Sequence, residues 1–358
     1  MNEFDFIARL RGQAQSRRHS TRLITGIGDD GCVISESSGC DLIVTTDLLT
    51  ENVDFLRGVT PARSLGHKAL AVSLSDIAAM GGRPFWSLLS IGMLRDQWNS
   101  NFKDEFFEGF FELADHFGVT LAGGDVSETT VGIVIDSIVL GEVTAGRAIK
   151  RSGARPGDQI YVTGNLGGAA AGLKLLELGL SVRSPTVREG SDAGAGNDAS
   201  ASPDQAGPRS DGDAIQALLL RQLRPQPRVG WGMVLGERQL ASAMIDLSDG
   251  LSSDLNHLCR ESNVGAVIDA AAIPLDEDVR HLCGRRALDP LALALHGGED
   301  FELLFTVDRD NVSRLPRAVD GVSISRIGEV SDDSGAVRIR EKNREWDLGP
   351  EGFEHFRE

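Results

Sequence analysis

Acidic side chains stand beside glycines or at the ends of predicted strands in five segments of this 358-residue chain. The segments are GIGDDG (26–31), TTDLL (45–49), AGGDVSET (122–129), IDLSDG (245–250) and HGGED (296–300). Clustered carboxylates repel one another unless a cation lies between them, and oxygen ligands without a set of histidines and cysteines favour Mg²⁺ over zinc. Glycines allow backbone N–H groups to approach phosphate oxygens. Each segment alone is typical of an ordinary turn, but together they indicate a polyphosphate bridged to protein acids by metal ions.

A further carboxylate, Asp76, lies inside a predicted helix. Its neighbours at helical spacing are Val72 and Met80, so its face of the helix is apolar. An unpaired charge on such a face would be costly. Two interpretations are open: an ion pair with Lys68, which lies two steps of four away on the same face, and a metal ligand.

The common nucleotide-binding signatures are absent from the sequence. There is no Gly-Lys pair, which excludes a P-loop, and no H-R-D or D-F-G motif, which excludes a protein-kinase fold. The glycine-rich segment TGNLGGAAAG (163–172) lacks the G-x-G-x-x-G spacing. It is open to two interpretations, tight packing of a strand against a helix and a dinucleotide site.

Composition excludes several classes of protein. Asp and Glu number 53 against 36 Lys and Arg, a formal net charge of −17, whereas nucleic acids and anionic membranes attract basic surfaces. No apolar run approaches the roughly 18 residues of a membrane-spanning helix. Residues 1–13 carry no apolar signal core, and the four cysteines form no C-x-x-C pair. We therefore expect a cytoplasmic, reduced protein with no nucleic-acid or membrane partner.

Strands alternate with helices in both halves of the sequence, which predicts an α/β or α+β chain of two domains. Helices are expected at about 62–80 and 102–118, with stop signals at Gly81-Gly82 and Gly118. A strand is expected over 41–47, ending at Asp47, and the diglycine Gly123-Gly124 is expected to form a turn between two strands.

The domain boundary is expected near 145–158, where the sequence is basic and rich in turn-forming residues. This division gives a short helix and mobile segment at 1–25, an N-terminal domain at 26–148 and a C-terminal domain at 149–358. Residues 181–213 consist mostly of Gly, Ser, Ala, Asp and Pro and contain no aromatic residue. Such a segment buries too little apolar surface to offset its ordering entropy, so we expect a disordered insertion.

The order of the motifs resembles that of a known family. The motifs are GIGDDGCVI, TTDLLTENVDF, HKALAVSLSDIAAMGGRP, LAGGD, GRAIKRSGARPGD, LRPQPR, IDLSDGLSSDL, GGEDFELLFTV and GFEHF. Together they resemble the thiamine-monophosphate kinase family of the aminoimidazole ribonucleotide synthetase superfamily. The resemblance runs from about Gly26 to Phe356 and omits only the segment 181–213.

The resemblance implies an activity, a fold and a set of site residues. Members of the family transfer the γ-phosphoryl group of ATP to thiamine monophosphate with several Mg²⁺ ions. Their N-terminal α/β domain has a mixed sheet that forms a barrel with a partner's sheet in a homodimer, and an α/β domain follows it. Matching motifs imply the metal ligands Asp30, Thr45, Thr46, Asp47, Asp76, Asp125, Asp246 and Asp249. They imply ATP contacts at Gly124, Asp125, Arg151, Ser248 and Phe107, and substrate contacts at Asp54, Glu299 and Phe353.

The acceptor in this reaction is a phosphate monoester, whose second pKa of about 6 leaves it mostly dianionic at neutral pH. It needs no general base; it needs relief of the repulsion between two anions and in-line positioning. The implied metal ligands and Arg151 would provide both. One departure is Asp54, which stands where the family usually has histidine, so a substrate contact there involves different chemistry.

Alternatives are open at individual positions. An inter-domain salt bridge would also explain Arg151. Ser248 and Asp249 precede the predicted helix near Gly250, whose N-terminus favours a phosphate, and they are equally explained as N-capping residues. Phe353 could cover the cationic thiazolium ring or pack into the core.

Two other functions would share part of this pattern. Another ATP-using member of the superfamily, such as aminoimidazole ribonucleotide or selenophosphate synthetase, would carry similar acidic motifs, although residues 1–25 contain no cysteine for selenophosphate chemistry. A non-catalytic acidic metal-binding protein would explain the aspartates but not Arg151 or the neighbouring glycines. Product analysis distinguishes the three.

Overall fold

The computed structural model describes residues 7–9, 11–13, 22–36, 39–182, 210–286 and 288–355. Residues 7–9 and 11–13 are helical, in agreement with a short helix near the start. Most of the predicted mobile segment and most of the predicted insertion at 181–213 lie outside the described residues.

The first half of the chain forms a six-stranded mixed sheet with helices on one face. Its strands, in the order β1-β2-β3-β6-β4-β5, are β1 (Leu23–Thr25), β2 (Cys32–Ser35), β3 (Cys40–Thr50), β4 (Arg83–Met93), β5 (Thr120–Glu128) and β6 (Val134–Thr144). Pairing is antiparallel except between β4 and β5. The helices are α1 (Ala62–Ala79), α2 (Arg95–Trp98) and α3 (Phe102–Phe117).

Helices α1 and α3 confirm the two predicted helices and cross at glycines. A Cβ atom on Gly66 would lie 1.8 Å from the carbonyl oxygen of Phe106, and one on Gly109 would lie 1.8 Å from that of Arg63. The two backbones can therefore touch only because both residues lack a side chain. Helix α1 is buried along nearly its whole length, between the sheet and α3.

Two local predictions were wrong because long-range pairing overrides the local sequence. Strand β3 continues past Asp47 to Thr50, which pairs with Val134 on β6. The diglycine forms no turn but lies within β5. A Cβ on Gly124 would lie 1.8 Å from the carbonyl oxygen of Leu89, so glycine here permits close approach of β5 to β4.

The second half of the chain forms an eight-stranded mixed sheet. Its strands are β7 (Gln159–Thr163), β8 (Ala243–Asp246), β9 (Gly265–Asp269), β10 (Leu303–Val307), β11 (Ala318–Val319), β12 (Val322–Ser331), β13 (Val337–Glu341) and β14 (Arg344–Asp347). The order is β14-β13-β9-β12-β7-β10-β8, with β11 paired to β12. Strands β9 and β13 are parallel and the other pairs are antiparallel. Two domains with mixed α/β sheets are thus confirmed.

Six helices accompany this sheet among the described residues. They are α4 (Gly168–Glu177), α5 (Asp211–Leu223), α6 (Val229–Glu237), α7 (Leu251–Ser262), α8 (Glu277–Arg286) and α9 (Pro290–His296). Helix α6 packs against α1 so closely that a Cβ on Gly232 would lie 2.2 Å from the carbonyl oxygen of Ala78. One apolar core therefore runs from α1 through α6 to Phe305 of β10. In the part of the chain that the structure describes, no helix combines the length and apolarity needed to cross a membrane.

Candidate active site

Three carboxylates from distant parts of the chain meet near the contact between α1 and β8. Asp30 precedes β2, Asp76 lies on α1 and Asp246 ends β8. One carboxylate oxygen from each lies within 4.8 Å of the others. Oδ2 of Asp30 is buried and has no hydrogen-bond partner among the described residues. This acidic cluster offers hard oxygen ligands at the spacing of a metal site, and the sequence predicted all three residues as metal ligands.

Hydroxyl groups orient the carboxylates around this point. Thr45 Oγ1 donates to Asp76, and Ser75 Oγ donates to Oδ2 of Asp246 at 2.6 Å. Ser73 Oγ donates to Oδ2 of Asp47 at 2.7 Å. Sequence reasoning did not identify the two serines, although both lie on the predicted helix within a turn of Asp76.

The suggested ion pair between Asp76 and Lys68 is not formed. Lys68 lies two turns away on α1, and its Nζ contacts Oε1 of Glu299 at 2.5 Å. Asp76 therefore has no cation among its hydrogen-bond and ion-pair partners in the described residues, and its role as a metal ligand stays a prediction.

Burial and mutual repulsion disfavour the ionised forms of these acids. Burial, with Asp30 as the main charged neighbour, raises the pKa of Asp246 to about 8. Burial raises the pKa of Asp47 to about 6, and burial with Asp47 and Asp246 raises that of Asp76 well above its usual range. A bound cation would offset this repulsion and allow all the carboxylates to ionise.

Arg151 lies at the edge of the acidic cluster. Its Nη2 contacts Oδ1 of Asp30 at 2.6 Å, and its backbone N–H donates to Oδ1 of Asp29 at 3.2 Å. The salt bridge that the sequence left open is therefore present, and it joins the two halves of the chain. Asp29, which the sequence analysis did not select, has its pKa raised to about 7 by burial and by Asp30. Its position next to Asp30 in GIGDDG was the sequence signal that could have identified it.

Strand β3 divides the predicted ligands between the two faces of its sheet. Thr45 and Asp47 point towards α1, as their hydrogen bonds to that helix show. Thr46 lies on the opposite face, where its Oγ1 donates to Oδ1 of Asp136 on β6 at 2.7 Å. Asp136 is an acid that sequence reasoning missed, and strand periodicity was the signal that could have found it.

The predicted ATP-contacting residues of the first half lie away from the acidic cluster. Gly124 and Asp125 are exposed on β5, which is an edge strand. Asp125 pairs with Ser90, which in turn pairs with Asp136, so Asp125 shares the exposed face of the sheet. Phe107 is half-buried on α3, packed against other phenylalanines of that helix. The roles of Gly124, Asp125 and Phe107 stay predictions.

A cavity of about 710 Å³ opens beside the acidic cluster. Six predicted site residues line it: Asp47, Asp54, Ser248, Asp249, Glu299 and Phe353. Much of the remaining wall is apolar, with side chains from β3, α4 and the segment between β3 and α1. The structure thus brings the three predicted substrate contacts to one cavity, and Asp47 lies both in the cavity wall and close enough to the acidic cluster for its charge to act on Asp76 and Asp246.

Hydrogen bonds to its backbone hold the turn that precedes α7. Gly250 is the residue that caps α7, with φ of +113°, so the interpretation of Ser248 and Asp249 as N-caps was wrong. The buried carboxylate of Asp254 accepts the backbone N–H groups of Asp249 and Gly250 at 3.2 and 3.1 Å. Phe353 donates its N–H to the carbonyl oxygen of Asp249 at 3.0 Å. Its ring is 47% exposed at the cavity, which excludes the core-packing alternative.

Two carboxylates face the cavity from opposite domains. Asp54 accepts the backbone N–H of Thr50 at 2.7 Å, and burial raises its pKa. Glu299 contacts Lys68 and also accepts a hydrogen bond from Gln222 Nε2. Sequence reasoning connected neither Lys68 nor Gln222 with Glu299, and no local signal marks such a long-range contact.

Comparisons with known proteins give matches over nearly the whole chain. Residues 28–143 match the family model described as "AIR synthase related protein, N-terminal domain", and residues 155–340 match that of the C-terminal domain. The thiamine-monophosphate kinase of Salmonella typhimurium is 37% identical over 357 residues, which are 99% of this chain and 98% of that protein. A solved structure described as "AaThiL complexed with AMPPCP and TMP" has a TM-score of 0.79 at 29% identity, covering 99% of this chain and 97% of the other. The crystal structure of thiamine-monophosphate kinase from Stenotrophomonas maltophilia K279a has a TM-score of 0.71 at 34% identity, covering 96% and 97%.

Proposed function

The chain belongs to the thiamine-monophosphate kinase family of AIR synthase related proteins, and we propose that it transfers the γ-phosphoryl group of ATP to thiamine monophosphate. A phosphate oxygen of thiamine monophosphate forms a bond to the γ-phosphorus while the bond to the bridging oxygen of ADP breaks. The products are thiamine diphosphate and ADP, and the reaction belongs to thiamine diphosphate biosynthesis.

The observation that carries this proposal is the position of Asp47. Its carboxylate lies in the wall of the cavity, and its charge acts on Asp76 and Asp246 of the acidic cluster. An acceptor in the cavity and a polyphosphate at the acidic cluster would therefore meet beside Asp47. Two phosphate groups must meet in this way for direct in-line transfer.

The donor set fits Mg²⁺. Asp30, Asp76 and Asp246 would hold the ion through hard oxygen ligands, and the unpartnered Oδ2 of Asp30 would gain a partner. The full set that we propose as ligands of several ions is Asp30, Thr45, Thr46, Asp47, Asp76, Asp125, Asp246 and Asp249. When bound, Mg²⁺ offsets the negative charge of the reacting phosphates.

Protein groups from both halves of the chain would hold the two substrates. For ATP we propose Gly124, Asp125, Arg151, Ser248 and Phe107. Among them, the Arg151 guanidinium offers bidentate hydrogen bonds to phosphate oxygens. For thiamine monophosphate we propose Asp54 and Glu299, whose negative charge suits a cationic thiazolium, and Phe353, whose exposed ring suits its face.

We also propose a cytoplasmic homodimer. Strand β5 is an exposed edge strand, with Val126 50% exposed, and β5 carries the proposed nucleotide contacts. A partner's surface would cover this edge and enclose the nucleotide. Light scattering of the purified protein measures the oligomeric state.

The proposed activity is tested by incubating the protein with ATP, MgCl₂ and thiamine monophosphate. We expect thiamine diphosphate and ADP in equal amounts, no product in EDTA, and inversion of configuration at a chirally labelled γ-phosphorus. Free thiamine serves as the control acceptor and should give no thiamine monophosphate. Formation of ADP without thiamine diphosphate would indicate that the acceptor is the substrate of another member of the superfamily. Binding of Mg²⁺ without formation of ADP would favour a non-catalytic metal-binding protein.

A further inference from the structure

Glu299 has a backbone conformation that a residue with a side chain rarely adopts. Its φ is +65°, in the left-handed region. Its N–H donates to the carbonyl oxygen of Ser248 at 2.8 Å, which fixes the residue beside the turn before α7. Strain of this kind persists only where surrounding contacts impose it, and it concentrates at functional sites.

Two side chains hold the Glu299 carboxylate from the protein side. Nζ of Lys68 lies 2.5 Å from Oε1, and Nε2 of Gln222 donates to Oε2. The Lys68 side chain is 3% exposed, and Gln222 is 5% exposed. Each oxygen of Glu299 thus has one protein donor, which sets the plane in which the carboxylate meets a ligand in the cavity.

Lys68 also connects the two walls of the cavity. Its Nζ donates to the backbone carbonyl oxygen of Asp54 at 3.2 Å, as well as contacting Glu299. Asp54 follows β3 in the first half of the chain, whereas Glu299 precedes β10 in the second. One buried ammonium therefore joins the Glu299 carboxylate to the backbone of Asp54 and fixes the position of Glu299 relative to the opposite wall of the cavity.

We propose that Lys68, with Gln222, is a positioning residue for thiamine monophosphate: anchored on the Asp54 backbone, Lys68 acts through the Glu299 carboxylate rather than by touching the reacting phosphates. This inference rests on the proposed function for the identity of the ligand. Because Lys68 acts through Glu299, its contribution should disappear when the Glu299 carboxylate is removed.

Isothermal titration calorimetry with thiamine monophosphate tests this in a double-mutant cycle of K68M, E299Q and K68M/E299Q. We expect K68M to weaken thiamine monophosphate binding by about 10- to 100-fold, the loss typical of removing a charged hydrogen-bond partner. The double variant should bind no more weakly than E299Q alone. Binding of AMPPCP with Mg²⁺, measured separately, should change by less than about twofold in all three variants, because the contact lies outside the acidic cluster.

The control is Lys174→Met, at the cavity rim. Lys174 is exposed and pairs with Glu177 of its own helix at 2.9 Å, so the variant removes the same charge without touching Glu299. Its binding of thiamine monophosphate should match that of the wild type. An equal loss of affinity in K174M would overturn the inference, because it would show that binding depends on the overall charge of the cavity rather than on the contact with Glu299.

Other outcomes also decide the question. Unchanged binding in K68M, or additive losses in the double variant, would overturn the inference. If K68M does not fold, Gln222→Met replaces it in the cycle with E299Q and is judged by the same criteria. A wild-type protein that binds thiamine monophosphate without phosphorylating it refutes the proposed function while the cycle still tests Lys68, and one that does not bind it overturns both.

Discussion

Replacing Asp246 with asparagine should stabilise the metal-free protein and remove much of its response to Mg²⁺. Asp246 is 2% exposed at the end of β8, and its Oδ2 accepts from Ser75. Burial and Asp30 raise its pKa from the ordinary 3.8 to about 8. One pKa unit corresponds to about 1.4 kcal/mol, so at pH 8 this carboxyl costs the folded protein about 5 kcal/mol relative to the unfolded chain.

The direction of the pH dependence follows from the raised pKa. Between pH 4 and pH 8 the folded protein binds the Asp246 proton and the unfolded chain does not, so stability falls as pH rises through this range. Asparagine carries no charge and loses about 1 kcal/mol of hydrogen bonding to Ser75. In EDTA we therefore expect D246N to exceed the wild type by about 4 kcal/mol at pH 8 and by about 1 kcal/mol at pH 5.

Urea denaturation followed by tryptophan fluorescence at pH 5, 6.5 and 8, with EDTA or MgCl₂, measures these differences. Mg²⁺ at a hundred times its Kd should add about 3 kcal/mol to the wild type and little to D246N. Asp41→Asn is the matched control: Asp41 is 3% exposed on β3 and accepts the N–H of Gly146 at 2.7 Å, outside the acidic cluster. D41N should lose stability and keep the Mg²⁺ response. A D246N protein no more stable than wild type in EDTA at pH 8, or one with the full Mg²⁺ response, would refute the reasoning.

Four further substitutions test other parts of the site and the fold. Asp47→Asn should reduce thiamine diphosphate formation by roughly 100-fold or more with an unchanged circular dichroism spectrum, and full activity would contradict its place between the two substrates. Asp125→Asn should reduce the rate similarly without loss of stability, because Asp125 is exposed; a normal rate counts against its role as a ligand. Phe353→Ala should raise KM for thiamine monophosphate about tenfold and leave KM for ATP unchanged, and equal changes in both would exclude a specific ring contact. Gly109→Ala should destabilise the protein by about 3 kcal/mol in urea denaturation, since its Cβ would lie 1.8 Å from the Arg63 carbonyl oxygen, and a wild-type midpoint would contradict that contact.

Local signals were enough to predict the helices that carry the site. Helix α3 has a strongly one-sided apolar pattern and ends at Gly118, which is in the left-handed conformation. The apolar periodicity and the C-terminal glycine therefore predict the same helix. Helix α1 is buried on nearly every face and lacks such a pattern, but the Gly81-Gly82 pair after Met80 marks its end. Such signals depend only on nearby residues, which is why they can be read from the sequence.

Strand ends could not be predicted in the same way. The sequence around Asp47 and Gly124 is typical of turns, yet β3 and β5 continue through both because β6 and β4 supply backbone hydrogen-bond partners. A partner strand that lies far along the chain leaves no mark on the local sequence. The contact of Lys68 with Glu299 was missed for the same reason, since it depends on how the two halves of the chain pack.

The alternation of β3 limits how its residues can act together. Asp47 and Thr45 point towards α1, whereas Thr46 lies on the face that carries Asp136 and, by strand register, Asp125. Side chains on opposite faces of one sheet cannot ligate the same ion. If all these side chains bind metal, they form at least two ligand groups, one with the buried acidic cluster and one on the exposed face. A requirement for several ions, which the acidic motifs and the family resemblance both suggested, thus gains a geometric reason in the two-residue period of a single strand.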